Sequence, residues 1–135
     1  MKTAVAILLA LSVLLVQPIP SRAQNGGSLP AVAVEAFGCV LCEAGQIAAF
    51  RVNIANPDGV PKTVHLLAQL ELPSGDIVAL IDGPVVLQQR FTQVLLVTHP
   101  VTSEDQVGTY WFDAAIFDTE DEFLDAYSLR ADKLE

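Results

Sequence analysis

The sequence predicts an all-β domain, an antiparallel sandwich of two sheets and about seven strands. Three observations carry that expectation. Short runs of alternating apolar and polar residues recur from Leu29 onward, and Gly, Pro, Asn or Asp interrupt them about every ten residues. No stretch beyond the N-terminal apolar run sustains a 3.6-residue apolar period. Without helical crossovers the strands must run antiparallel, and this many short strands pack as two sheets.

The elements follow in order. Residues 32–37 make the first strand. Residues 48–55 make the second, with Phe50, Val52 and Ile54 alternating with Arg51 and Asn53, and it stops at Asn56-Pro57-Asp58-Gly59, a strong turn signal. The third covers residues 63–72. Val64, Leu66, Ala68 and Leu70 share one face, and His65, Gln69 and Glu71 share the other. Pro73-Ser74-Gly75-Asp76 then turns the chain into a fourth strand over residues 77–81. Gly83-Pro84 follows, with a short edge piece at residues 85–87. Residues 89–97 form the fifth clear strand, closed by His99-Pro100. Residues 108–118 form the sixth and residues 124–131 the last.

The N-terminus has another character. Met1-Lys2-Thr3 is basic, residues 4–16 are an unbroken apolar run apart from Ser12, and Ser21-Arg22-Ala23 places small residues at −3 and −1 of a cut after Ala23. That order is a secretory signal peptide. As a helix the run rises only about 20 Å, short of the roughly 30 Å hydrocarbon core, so a membrane anchor is not expected. The expected organisation is a signal peptide at residues 1–23, a flexible mature N-terminus at 24–28 and one domain at 29–135. The localisation is then secreted or periplasmic. The chain carries a net charge of −9, and losing Lys2 and Arg22 makes it more acidic still. Such a surface repels phosphate backbones and anionic lipid, so nucleic acid and membrane surfaces are not expected partners.

One stretch sharpens the fold. Gln106-Val107-Gly108-Thr109-Tyr110-Trp111-Phe112 resembles the Asp-x-Gly-x-Tyr-x-Cys approach to the penultimate strand of immunoglobulin domains. Gly108 and Tyr110 fit the pattern. Gln106 stands at the Asp position and Phe112 at the Cys position, so the inter-sheet disulfide of antibody domains is absent. With "NPDG", "LPSGDIVAL" and "GTYWFDAAIFD" in sequence, most of residues 29–131 resembles bacterial extracellular immunoglobulin-like modules of the adhesion and surface-repeat kind. The resemblance implies a Tyr110 hydroxyl bonded back to the backbone, and a structural or binding role without catalysis.

Three groups of residues are candidates for chemistry. Cys39 and Cys42 could be a redox couple, half a metal site or a disulfide. No helix N-terminus is available to lower a thiol pKa, Glu43 excludes a haem-attachment motif, and only His65 and His99 could add to a zinc site. A structural disulfide is the expectation, and it requires a turn, because in an extended strand the two Cα atoms stand roughly 10 Å apart. The acidic stretch at residues 118–125, with Asp118, Glu120, Asp121 and Glu122, is a weak calcium candidate. It lacks the EF-hand pattern and reads as a solvated hairpin tip. Metal handling through the cysteines or this hairpin is the alternative function. Finally, Trp111, Asp113 and Phe117 share one face of a strand, opposite Tyr110 and Phe112, and form a candidate surface for a protein or carbohydrate partner. No catalytic constellation and no cofactor motif is visible, so a non-catalytic module with no cofactor is expected.

Overall fold

The computed structural model describes residues 28–135; the expected signal peptide at residues 1–23 lies outside the described residues, as do positions 24–27. Eight strands form among the described residues: β1 (Ala31–Ala36), β2 (Leu41–Cys42), β3 (Ile47–Asn56), β4 (Lys62–Glu71), β5 (Ile77–Leu87), β6 (Phe91–Pro100), β7 (Gly108–Phe117) and β8 (Phe123–Lys133). They make a three-stranded sheet in the order β1-β3-β6 and a five-stranded sheet in the order β2-β8-β7-β4-β5. Every pairing is antiparallel except β2 with β8.

The period-2 alternation read from the sequence is what fills the space between the sheets. β3 turns Ala48, Phe50, Val52 and Ile54 inward; β4 contributes Val64, Leu66 and Ala68, and β7 contributes Phe112, Ala114 and Ile116. Phe50 and Phe112 stack across the sandwich with ring centroids 4.5 Å apart and planes 12° apart. The aromatic at the position of the antibody cysteine thus meets an aromatic from the facing sheet. Each large side chain buried this way stabilises the fold by about 1.5–3 kcal/mol relative to exposure.

Three elements differ from the sequence expectation. Ile77–Leu87 is one strand and does not break at Gly83-Pro84. The reason is its place: β5 is an edge strand with β4 as its one neighbour, so the N–H that Pro84 lacks can face away from the ladder. A register shift opposite Ala68 and Gln69 absorbs the extra residue, Leu80. The second difference is β2, whose two residues are too few to show a period. β6 also sits slightly later than expected, because Arg90 takes a positive φ of 50° in the turn that precedes it.

Corners are held by specific groups. Buried Asn56 ends β3: its Nδ2 donates to the carbonyls of Val60 at 2.9 Å and Gln88 at 3.1 Å, and its Oδ1 accepts from the Asp58 N–H. Gly108, with φ of 129°, begins β7 where a Cβ would stand 3.1 Å from the Pro73 side chain. Neither the backbone angle nor the space suits another residue.

Candidate functional site

The outer face of the five-stranded sheet carries the candidate residues Trp111, Asp113 and Phe117. The register arranges that face in four rows across β4, β7 and β8. They are Glu71–Trp111–Arg130, Gln69–Asp113–Ser128, Leu67–Ala115–Ala126 and His65–Phe117–Phe123. The rows grade from charged to apolar. In the lower two, the small side chains of Ala115 and Ala126 leave room for Leu67, Phe117 and Phe123, which close over them as a second apolar cluster. Phe117 and Phe123 meet edge to face, 6.2 Å between centroids. Phe117 is therefore half-buried within the sheet's own cover.

Asp113 is only 8% exposed and accepts a hydrogen bond from the Ser128 hydroxyl. Burial pushes its carboxyl pKa above the usual carboxylate range, against the opposing pull of the Ser128 hydrogen bond. Beside it Gln69 is 1% exposed, and its Nε2 has no hydrogen-bond partner. Of the three candidate residues Trp111 is the exposed one, at 41%. Its indole stands between an acidic neighbour, Glu71, and a basic one, Arg130, whose guanidinium also bonds Asp132. The sequence placed the three residues on one face. It did not identify Gln69, Ser128, Glu71 or Arg130 as their neighbours, because alternation gives a face but not the cross-strand register.

Cys39 and Cys42 are disulfide-bonded, their Cα atoms 5.3 Å apart. The bond sits where the chain changes sheets, between β1 in the three-stranded sheet and β2 in the five-stranded one. Before the switch, the N–H groups of Phe37 and Gly38 donate to the Ala49 carbonyl and that of Cys39 to the Ile47 carbonyl. After it, Asp132 and Leu134 donate to the carbonyls of Val40 and Cys42, each at 2.8 Å. Gly38 allows the close approach to β3: a Cβ there would lie 2.2 Å from the Ile47 carbonyl oxygen. In the disulfide form neither sulfur is a thiolate that could ligate a metal.

The acidic stretch forms the β7–β8 hairpin turn. Asp118 Oδ1 accepts the N–H groups of Glu120 at 2.8 Å and Glu122 at 2.9 Å, and the Asp118 N–H donates to the Glu122 carbonyl. Asp121 takes a φ of 63° to close the turn. One carboxylate thus organises the loop, while Glu120, Asp121 and Glu122 are exposed. Among the described residues no group of three or more His, Cys, Asp or Glu is placed to hold a metal ion.

At the opposite end of the sandwich the Tyr110 hydroxyl donates to the Gln106 carbonyl at 2.7 Å, the back-bond that the immunoglobulin resemblance implied. Burial, then the Asp105 charge, raise its pKa, so it stays a donor. Asp105 is held below the usual carboxylate range, chiefly by the Thr102 N–H and further by His99. Nearby, Cys42, Phe50, Leu70, Val101 and Ala131 help line an apolar cavity of about 40 Å³. A cavity that accepts benzene measures about 150 Å³, so this one is a packing gap.

Against known proteins, no family model matches the chain and no curated protein matches it. Solved structures do. A CARDB domain from Pyrococcus furiosus, solved in complex with di-metal ions, is 16% identical, with 87% of this chain and 100% of that one covered and a TM-score of 0.59. The alkylpurine DNA glycosylase AlkC of Pseudomonas fluorescens gives a TM-score of 0.62 at 8% identity, over 81% of this chain and 31% of its own. A β-glucuronidase of Bacteroides uniformis gives 0.56 at 13% identity, over 75% of this chain and 13% of its own. At these identities the likeness is one of fold, and each of the two enzymes shares only a minor part of its length. The class is an immunoglobulin-like β-sandwich domain, here with eight strands in two sheets.

Proposed function

We propose that the protein is a secreted, non-catalytic module that recognises a protein or carbohydrate partner through the Trp111 end of the five-stranded sheet. One observation carries the reading. On a face where Leu67, Phe117 and Phe123 already cover one another, the Trp111 indole remains exposed between groups of opposite charge. An amphipathic ring flanked by a carboxylate and a guanidinium offers stacking area and hydrogen-bond partners together, which is how interface anchors work. The disulfide favours an oxidising compartment and so agrees with the signal peptide expected from the sequence. The match to a CARDB domain, over 87% of this chain and 100% of that one, favours a module over a catalytic unit.

Trp111 is the chain's single tryptophan, so its fluorescence reports this face alone. The protein and a Trp111→Ala variant would be compared by glycan-array binding and by capture from the secreted fraction. A ligand held by the parent, lost with Trp111→Ala and able to shift the parent's emission is the expected result. Equal binding by parent and variant would place recognition elsewhere.

A further inference from the structure

The four long edges of the sandwich are not equally protected. An open strand edge is a row of unpaired N–H and C=O groups, which proteins shield with charge, proline, bulges or cover. β1 is shielded: it packs beside β8, and its Val32 N–H donates to the Asp125 carboxylate at 2.9 Å. β8 carries β2 along its C-terminal end. β5 has Asp82, Pro84 and the bulge at Leu80. Of these devices β6 has one, Pro100, at its C-terminal end. It pairs with β3 over ten residues without a bulge, and its sequence FTQVLLVTHP contains no Asp, Glu, Lys or Arg in a chain of net charge −9.

The outward side chains of β6 are Thr92, Val94, Leu96 and Thr98, all exposed, Val94 at 48% and Leu96 at 58%. That pattern is its own antiparallel complement. We propose that β6 pairs with β6 of a second copy about a twofold axis at Leu95, joining the two three-stranded sheets into one of six strands. In this register Val94 of each copy faces Leu96 of the other, and Thr92 faces Thr98. The centre is an apolar block of four side chains between two threonine pairs, combinations that stabilise cross-strand neighbours. An isologous contact of this kind closes on itself and stops at the dimer.

Charge favours a second copy as the occupant. Two molecules this acidic repel over most of their surface, and β6 is the edge free of carboxylates. At each end of the paired strands Arg90 would face the mate's Pro100, beyond which the chain turns through Glu104 and Asp105. Arg90 makes no ion pair among the described residues, whereas Arg51, Lys62 and Arg130 each have a carboxylate partner. The mate's Glu104, itself without an ion pair, supplies one of opposite sign.

Sedimentation equilibrium of the purified protein from micromolar to millimolar concentration tests the pairing. The parent is expected to pass from one to two chain masses. Leu96→Glu would set a carboxylate against the mate's Val94 on each side of the axis and weaken the dimer by about tenfold or more. The double variant Val94→Lys, Leu96→Glu sets opposite charges across from each other twice in this register, and should recover most of the affinity. Val86→Glu on β5 is the control and should change nothing. All three positions are exposed, and an unchanged melting profile would show that the variants fold. A parent that stays monomeric at every concentration overturns the proposal. So does a dimer that survives Leu96→Glu, one lost with Val86→Glu, or a double variant no better than the single one.

Discussion

Phe112 shows how much a single side chain carries. It is fully buried and lies flat against Phe50 from the other sheet. Phe112→Ala removes that transfer energy and leaves a cavity, a loss of about 3–5 kcal/mol. Domains of this kind have roughly 5–15 kcal/mol in all, so the variant should unfold at much lower denaturant than the parent. A midpoint equal to the parent's would mean that the ring is not part of the core. Asp113 poses the opposite case, a residue whose charge opposes the fold. Burial raises its pKa above the ordinary 3.8, so the folded protein binds its proton more tightly than the unfolded chain does. This contribution to stability is full below the unfolded value and is lost as pH rises through the raised folded one. Asp113→Asn keeps an acceptor for the Ser128 hydroxyl and removes the buried charge. It should be more stable than the parent at neutral pH, and the gap should close in acid. Denaturant titrations across that range would show it, and a variant less stable than the parent at neutral pH would contradict it.

At the scale of elements, the crossing from β1 to β2 is the informative one. Two ladders meet there, one onto β3 and one onto β8, and the disulfide spans the few residues between them. Closing so short a loop restricts the unfolded chain little, which limits its contribution to about 2 kcal/mol. Reduction should therefore lower the melting temperature modestly and leave the domain folded, while unreduced denatured protein should show no titratable thiol. Gly38→Ala should do more harm than reduction. Its Cβ would run into the Ile47 carbonyl and lift the loop from β3, with the loss of three backbone hydrogen bonds. Melting curves of the two forms side by side would decide the order. The sequence made the cysteines legible as a pair that needs a turn. It could not show that the turn is a change of sheet, because two residues of β2 carry no period and their partners lie some ninety positions away.

The whole molecule is acidic, and the β7–β8 turn concentrates the charge. With the Asp118 carboxylate occupied by two backbone N–H groups, the expected behaviour is that of a screened surface. Repulsion between exposed charges is damped within about 8 Å at physiological salt. Sodium chloride should then raise the melting temperature as much as calcium chloride does at equal ionic strength. A rise specific to calcium would reveal binding to the native state and put a cation at the hairpin. The sequence by itself determined the all-β class, most strand positions, the inward faces of β3, β4 and β7, and the Tyr110 corner. Those follow from period-2 alternation, turn residues and one local motif, all of which act within a few residues along the chain. Only the tertiary structure decided which strands are neighbours and in what register. That choice buried Asp113 between Gln69 and Ser128, covered Phe117, left Trp111 exposed and left β6 an open edge. Cross-strand pairing joins residues far apart in sequence, and alternation alone holds no record of which partner each one meets.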